Sequence, residues 1–240
     1  MFLFTFIDPA VGLAHTAVTT LAGFVPAAAA IVLFTLCVRL ALHPLARAAA
    51  RGERARARLA PRVAELQKQH KDRPERLRAE LAELYKAEQA SPFAGCLPML
   101  VQLPFFSVMY RLFTLARVAG RPNDLLGHTL AGVPLGLHVT AAHTPAQLAV
   151  FGALYAALGC LGLLGYRKAR AAVTAGTPGA GIAPYLAFGT VLFAALVPLA
   201  AALYLLTTTA WTAAERAWLH RGTPAPAQPN PGQPRVQPAR

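Results

Sequence analysis

The stretch FVPAAAAIVLFTLCVRLALHPL, residues 24–45, decides the fold of this chain. It is long enough to cross a bilayer, which needs about 20 mainly apolar residues, and it carries one full charge, Arg39. A guanidinium inside an apolar span usually faces a bundle interior or a wet cavity and marks a functional site. Because Arg39 lies only five residues before Pro44, its side chain could instead reach the headgroups. The span alone leaves both interpretations open.

The composition is that of a membrane protein with several spans. Of 240 residues, 55% are hydrophobic and 14% are charged, which is unusual for a soluble domain. A net charge of +13 would suggest nucleic-acid binding in a soluble chain. Here the basic residues cluster between apolar segments, where they report topology. The sequence therefore predicts an all-α polytopic membrane protein.

Five transmembrane spans are predicted, at residues 25–45, 93–116, 146–166, 182–196 and 199–218. The last two are separated only around Pro198, so one long kinked helix is the alternative. Basic residues in short loops stay on the cytoplasmic side. They are frequent in 46–90 (twelve basic against seven acidic residues), after the third span and at the chain end, but scarce in 117–145. This pattern predicts an N-out, C-in chain in which spans two to five occupy 91–221, with an outer loop at 117–145.

Both ends of the chain differ from the predicted spans. Residues 1–24 are expected to form an extracytoplasmic helix that lies in the membrane interface, with Asp8 as its N-cap and Pro9 at its first position. An extension of the first span is the alternative. Residues 222–240 are rich in proline, contain two arginines and have few apolar side chains. We expect a disordered basic tail there.

Residues 46–90 predict a cytoplasmic hairpin of two helices joined by a turn at 70–74. Asp72 is expected to cap the second helix, and Pro74 suits its first turn. Apolar residues recur at helical spacing on both arms, so the arms should pack together; they are Leu59, Val63, Leu66, Leu77, Leu81 and Leu84. The basic remainder would suit lipid headgroups, a ribosome or a nascent chain, although solubility explains part of it.

No catalytic pattern accompanies these features. The sequence has no HExxH, no GxSxG and no phosphate-binding glycine loop, and its histidines lack the spacing of metal ligands. We therefore expect no enzymatic activity, no cofactor, no metal and no small-molecule substrate. A small transporter that uses Arg39 as an anion site is an alternative. The second half of the bundle, however, offers no further intramembrane charge or inverted repeat with which to build a route.

Several motifs of this chain carry a family resemblance. Val38-Arg39-Leu40, the segment SPFAGCLPMLVQLP at 91–104 and Ala210-Trp211-Thr212 resemble the YidC family of membrane-protein insertases, in its compact actinobacterial form. The resemblance runs over about residues 25–218. Ser91 stands where the family usually has Asn, and Thr208-Thr209 replace a Ser-Asn pair, so polarity is kept while amide bonding is lost.

The resemblance implies five helices around a hydrophilic groove that is open to the cytoplasm and to lipid and closed on the outer side. It implies that Arg39 is the positive centre of this groove, and that hydrophobic segments of nascent proteins enter the bilayer through it without ATP. The implied location is the bacterial plasma membrane. The implied partners are nascent membrane proteins and the lipid bilayer, with the Sec translocon and the ribosome as further candidates. An assembly chaperone without autonomous insertion is the alternative.

The resemblance also implies three further groove residues beside Arg39: Thr35, Gln102 and Tyr204. Each has a structural interpretation as well. Thr35 can hydrogen-bond its own helix backbone, Gln102 can join two helices, and Tyr204 can be buried packing. The sequence does not decide between these roles.

Overall fold

The structure is a computed structural model that describes residues 2–88, 97–118, 120–172 and 181–219. Most of these residues lie in eight α-helices: α1 Phe2–Ala22, α2 Ala27–Ala41, α3 His43–Gln69, α4 Pro74–Ala87, α5 Leu97–Thr114, α6 Pro145–Ala172, α7 Gly189–Ala194 and α8 Leu199–Leu219. Two antiparallel hairpins of two-residue strands lie between α5 and α6: β1 Arg117–Val118 with β2 Arg121–Pro122, and β3 Thr129–Leu130 with β4 Val133–Pro134. The prediction of a helical protein is confirmed.

One helix in the described ranges, over 145–171 of α6, is by itself long and apolar enough to cross a membrane. Helices α2 and α3 meet the same test when they are taken together, although the chain bends by 58° between them. The five crossings that the loop charges predict stay a prediction. The predicted tail at 222–240 and Ser91 lie outside the described residues.

The bend between α2 and α3 lies at Leu42. Its backbone N–H still donates to the carbonyl of Val38 at 3.0 Å, while Pro44, in the first turn of α3, has no N–H to continue the α2 ladder. The helix therefore ends and restarts in a new direction. As a result Arg39 occupies the last turn of α2 and His43 begins α3.

Helix α1 packs against α2 and α5 through Val11, Ala14 and Val18, all of which are buried. The expected start at Asp8 and Pro9 is wrong, because the helix begins at Phe2 and contains Pro9. The Asp8 carboxylate is not a cap. It forms an ion pair with Arg111 of α5 at 2.7 Å, a tertiary contact that the local capping pattern could not indicate.

Helices α3 and α4 form a hairpin within 46–90, and their arms are in contact. The turn is closed by the Arg73 N–H, which donates to the carbonyl of His70 at 3.0 Å. The expected cap at Asp72 is wrong, because Arg73 occupies the N-cap position and makes no side-chain capping bond. His70 Nε2 contacts Glu80 Oε2 at 3.0 Å and joins the two arms near the turn.

The segment after α5 closes one end of the bundle, which we call the loop end. Its apolar side chains Val118, Leu125, Val133 and Leu135 are almost fully buried. The first N–H groups of α8 also point into it. Leu199 donates to the carbonyl of Leu137 at 2.9 Å, and Ala200 donates to that of Leu135 at 2.8 Å. These two bonds satisfy helix-end donors that would otherwise lack partners.

Asn123 fixes the loop end to α5. This buried side chain donates from Nδ2 to the carbonyls of Leu112, at 2.6 Å, and Leu115, at 3.0 Å. Both carbonyls belong to the C-terminal end of α5, where intrahelical partners run out. The Asn123 side chain therefore acts as a C-terminal cap supplied from outside the helix.

Replacement of Asn123 by Asp is expected to destabilise the protein by about 2 kcal/mol, because two carbonyls lose their donor and face a carboxylate instead. At this chain length the loss lowers Tm by roughly 5 °C. Thermal unfolding in detergent, followed by tryptophan fluorescence, measures it. Asp124→Asn is the matched control, since Asp124 is the exposed neighbour. Equal Tm values for the two variants would contradict the capping role.

The region predicted as spans four and five contains two separate elements. A 3-10 segment, Ala183–Phe188, continues into the short helix α7, and α8 begins only at Leu199. A single long kinked helix over this region is therefore excluded. The 3-10 segment packs closely on α6, where a Cβ added at Gly162 would approach Phe188 Cδ1 to 3.1 Å. Glycine at 162 permits this close approach.

Candidate functional site

Helix α8 carries a row of polar and aromatic side chains on one face. Tyr204, Thr208, Trp211 and Glu215 follow one another at intervals of four, three and four residues, the spacing that places side chains one above another on a helix. Helix α8 packs against α2. We call this row the α8 polar face. Because α2 carries Arg39, the side chains of this face are candidates for interaction with Arg39.

Arg39 is half-buried between these helices. The Glu215 carboxylate, near the end of the α8 polar face, lies close enough to attract its charge, and Tyr204, near the start of that face, is also near it. Its Nε atom is buried and has no hydrogen-bond partner among the described residues. A side chain that simply extended to the headgroups would keep this N–H in water. Arg39 therefore holds a donor inside the bundle that is open to a further partner.

Two side chains of the α8 polar face are in the same condition. Thr208 Oγ1 and Trp211 Nε1 are buried and have no hydrogen-bond partner among the described atoms. Each such group costs about 1–3 kcal/mol when left unsatisfied, so the cost is normally compensated by water or a ligand. Both residues lie on the α8 face that also carries Tyr204 and Glu215, the two residues near Arg39. We call Arg39 and the α8 polar face together the polar groove.

The structure places Thr35 and Tyr204 in tighter surroundings than Arg39. Thr35 is fully buried, and its Oγ1 donates to the carbonyl of Ile31 at 2.7 Å. Tyr204 is 1% exposed, and its ring centroid lies 6.4 Å from that of Phe113. Gln102 belongs to α5, and its side chain lies outside the described residues. The geometry thus brings Tyr204 to Arg39, while the Thr35 hydroxyl is occupied by its own helix.

Helices α3 and α8 meet through a group of contacts beyond Arg39, which we call the junction. His43 Nδ1 pairs with Glu215 Oε1, and the His43 ring lies 5.7 Å from that of Trp218. The Arg47 guanidinium stacks over Trp218 at 5.3 Å, a cation–π contact. The junction therefore fixes the start of α3 to the last turns of α8.

Two further contacts join α3 to the end of α8 at the rim of the junction. Arg216 Nη2 lies 3.1 Å from Glu53 Oε1, and Arg54 donates from Nη2 to the carbonyl of Leu219. The Arg216 and Glu53 side chains are 57% and 32% exposed, against 9% for Glu215. The pair at the rim is therefore solvated, whereas the Glu215 carboxylate is largely shielded from solvent.

Sequence reasoning missed His43 and Glu215. Local motifs give no sign that His43 and Glu215 are partners, because the two residues lie 172 positions apart in the sequence. A signal was nevertheless present, since Glu215 is the only acidic residue after Asp124 in the sequence. A lone carboxylate at the end of an apolar helix deserves a search for its partner.

An open, mainly apolar recess of about 360 Å³ lies between α5, the 3-10 segment with α7, and α8. Its lining includes Phe106, Phe193 and Leu205, with Thr190 as a polar member. The neighbouring surface, on the 3-10 segment and α7, exposes Ile182, Leu186 and Leu192. The bundle thus offers a polar groove beside α2 and an apolar recess on another side of α8. Among the described residues no group of three His, Cys, Asp or Glu side chains could hold a metal ion.

The family model described as 60Kd inner membrane protein matches residues 20–226. Among curated relatives, the membrane protein insertases YidC of Granulibacter bethesdensis, Clostridium perfringens and Helicobacter pylori are 43%, 40% and 40% identical over 83, 84 and 83 residues. Each alignment covers 35% of this chain, and 14%, 35% and 15% of the respective relative. The chain thus matches only a minor part of the length of these relatives. The family match itself extends over most of the chain, so the protein belongs to the 60Kd inner membrane protein family, that of the YidC membrane insertases.

Proposed function

We propose that this protein is an insertase that moves hydrophobic segments of nascent membrane proteins from the cytoplasm into the lipid bilayer. The observation that carries the proposal is the half-buried Arg39, whose Nε–H has no partner among the described residues and whose helix packs against α8. A site of this kind suits an acidic or polar group that must be drawn into the membrane.

In this mechanism Arg39 attracts a carboxylate or carbonyl of the incoming chain. The low dielectric between the helices strengthens that attraction relative to water. Thr208 and Trp211, whose polar atoms are buried without partners in the described structure, supply an acceptor and donors to the same segment. The hydrophobic part of the client would meanwhile leave through the apolar recess at Phe106 and Phe193 towards lipid.

The energy for insertion would come from partitioning and not from a nucleotide. Transfer of apolar surface out of water contributes about 25 cal/mol per Å². For a span of about 20 residues, the summed transfer free energy greatly exceeds the free-energy cost of moving one polar group through the bilayer. The sequence contains no phosphate-binding glycine loop. We therefore propose insertion without ATP.

The proposed orientation places the junction and the α3–α4 hairpin in the cytoplasm and the loop end outside, in an N-out, C-in chain of five crossings. Two features support it. Basic residues concentrate in α3 and α4, as positive-inside sorting requires. The loop end buries Leu125 and Leu135 and bonds the start of α8, so the groove would open towards the hairpin. The hairpin and the tail are the proposed contacts for a ribosome, and the Sec translocon is a further proposed partner.

Reconstitution into liposomes tests the proposal. The purified full chain is supplied with a single-span client in the absence of nucleotide, and protease protection of the client measures insertion. We expect protection that depends on the protein and does not increase with ATP. Protein-free liposomes and boiled protein are the controls. If clients bind without becoming protected, the protein is an assembly chaperone without autonomous insertion and the proposal fails.

A further inference from the structure

We propose that Glu215 is a built-in counter-ion of the polar groove, which competes with acidic client residues for Arg39 and so sets which clients the groove accepts. The inference rests on the proposed function and names a residue that selects substrates for it. It starts from the burial of Glu215, whose side chain is only 9% exposed. A carboxylate in such a position needs a cation or several donors.

One group contacts this carboxylate, and a cation on a different helix lies close enough to attract it. His43 at the start of α3 contacts its Oε1 directly. Arg39 at the end of α2 attracts the same carboxylate from within the groove. The other basic side chains of the junction have their own partners: Arg47 lies over Trp218 and Arg216 pairs with Glu53. Glu215 thus bonds to His43 while it also attracts the charge of Arg39.

The helical positions place Glu215 near both groups. Glu215 lies four residues after Trp211 on α8, a step of about 6 Å along that helix, and His43 lies just beyond the bend that follows Arg39. The His43–Glu215 pair therefore lies about one turn nearer the hairpin than Arg39 and Trp211. A client that enters from the hairpin end meets Glu215 before it reaches Arg39.

Competition follows from this order. A carboxylate fixed on the protein acts at a high effective concentration towards Arg39, so an acidic client must displace it. The same negative charge repels an acidic segment on its way in and has little effect on a neutral one. Glu215 should thus weaken capture of acidic segments selectively. His43 moderates the effect, because it holds the carboxylate partly away from Arg39.

Peptide binding to the full chain in nanodiscs tests this assignment. The probes are two fluorescent peptides, each with an apolar segment of about 20 residues, preceded in one by Asp and in its twin by Asn. Glu215→Gln keeps the size and a hydrogen bond to His43 but removes the charge. We expect it to bind the Asp peptide about fivefold more tightly than the wild type does, as for a partly solvated charge pair, and the Asn peptide within about twofold. Addition of Arg39→Gln should remove this gain.

Glu53→Gln is the matched control. It makes the same change in charge at the same junction, but it breaks only the rim pair with Arg216, so both peptides should bind as they do to the wild type. His43→Asn should act in the opposite direction to Glu215→Gln. With its anchor removed, Glu215 belongs wholly to Arg39, and the Asp peptide should bind more weakly while the Asn peptide is unaffected. A merely damaged junction would weaken binding of both peptides.

The counter-ion role is overturned if Glu215→Gln changes binding of the two peptides equally, or if neither the wild type nor Glu215→Gln binds the Asp peptide. Failure of the proposed function looks different. In that case the Asp peptide binds and responds to Glu215→Gln, yet no client becomes protected in liposomes. If insertion occurs but the Asp-specific gain is absent, only the role of Glu215 fails.

Discussion

Arg39→Ala is expected to reduce insertion of a single-span client that carries an acidic residue by at least about tenfold. A hydrogen bond to a charged group contributes about 1.5–3 kcal/mol, and about 1.4 kcal/mol corresponds to a factor of ten. The substitution removes the charge and the Nε donor, which has no partner in the described part of the chain. It also leaves the Glu215 carboxylate with His43 alone at the mouth of the groove.

Arg39→Lys separates charge from geometry. An ammonium keeps the attraction but offers one compact donor group in place of a planar fork, so we expect partial insertion, between the wild type and the Ala variant. Arg216→Ala is the matched control. Its guanidinium is on the same bundle and 57% exposed, and it pairs with Glu53 at the rim; insertion should stay within about twofold of the wild type, as for an exposed ion pair.

The amount of protease-protected client, at matched protein levels, measures insertion by the wild type and by the three variants. Equal insertion by the wild type and the Ala and Lys variants would show that Arg39 only anchors the end of α2. Insertion would then have to depend on the apolar recess or on local thinning of the bilayer. A client without acidic residues provides a second comparison, because its dependence on Arg39 should be smaller.

The sequence predicts those features of the fold that depend on local residue patterns and on the preference of each residue for water or lipid. Arg39 was found because a single charge in an apolar run is costly in a bilayer. Helices α6 and α8 were found because long apolar stretches between turn residues favour helix. Their observed bounds, Pro145–Ala172 and Leu199–Leu219, differ from the predicted 146–166 and 199–218 mainly by the six residues of α6 after residue 166.

What the sequence does not predict is which faces meet. The His43–Glu215 contact joins residues 172 positions apart, and nothing in either helix specifies the other. The same limit explains the incorrect start of α1. Asp8 and Pro9 form a good local cap signal, but the ion pair with Arg111 uses the carboxylate elsewhere. Tertiary contacts outweigh local propensity there.

The orphan polar atoms of the groove illustrate the same point. Thr208 and Trp211 are recognisable in the sequence as polar members of an apolar helix, but their lack of partners among the described residues depends on how the helices pack. Thr35 shows the reverse. The family resemblance implies a groove role for Thr35, which stays a prediction, and its hydroxyl donates to Ile31, a contact that any helix offers its own threonine.

The second large effect concerns the loop end. Phe113 of α5 is fully buried and packs against Tyr204 of α8 at 6.4 Å between ring centroids. In water, Phe→Ala in a core costs about 3–5 kcal/mol, from the transfer of apolar surface and from the cavity left behind. Between membrane helices the transfer term largely disappears because lipid is apolar too, and the loss of packing contacts remains.

We therefore expect Phe113→Ala to destabilise the protein by about 2–3 kcal/mol and to lower Tm by roughly 8 °C. Thermal unfolding in detergent measures the shift. Leu163→Ala on α6 is the control, because Leu163 is 42% exposed and its truncation leaves no internal void. Insertion should also decline for Phe113→Ala, since Tyr204 loses the ring that holds it beside Arg39. A Tm equal to that of Leu163→Ala would mean that the loop end tolerates a cavity and does not hold the groove in shape.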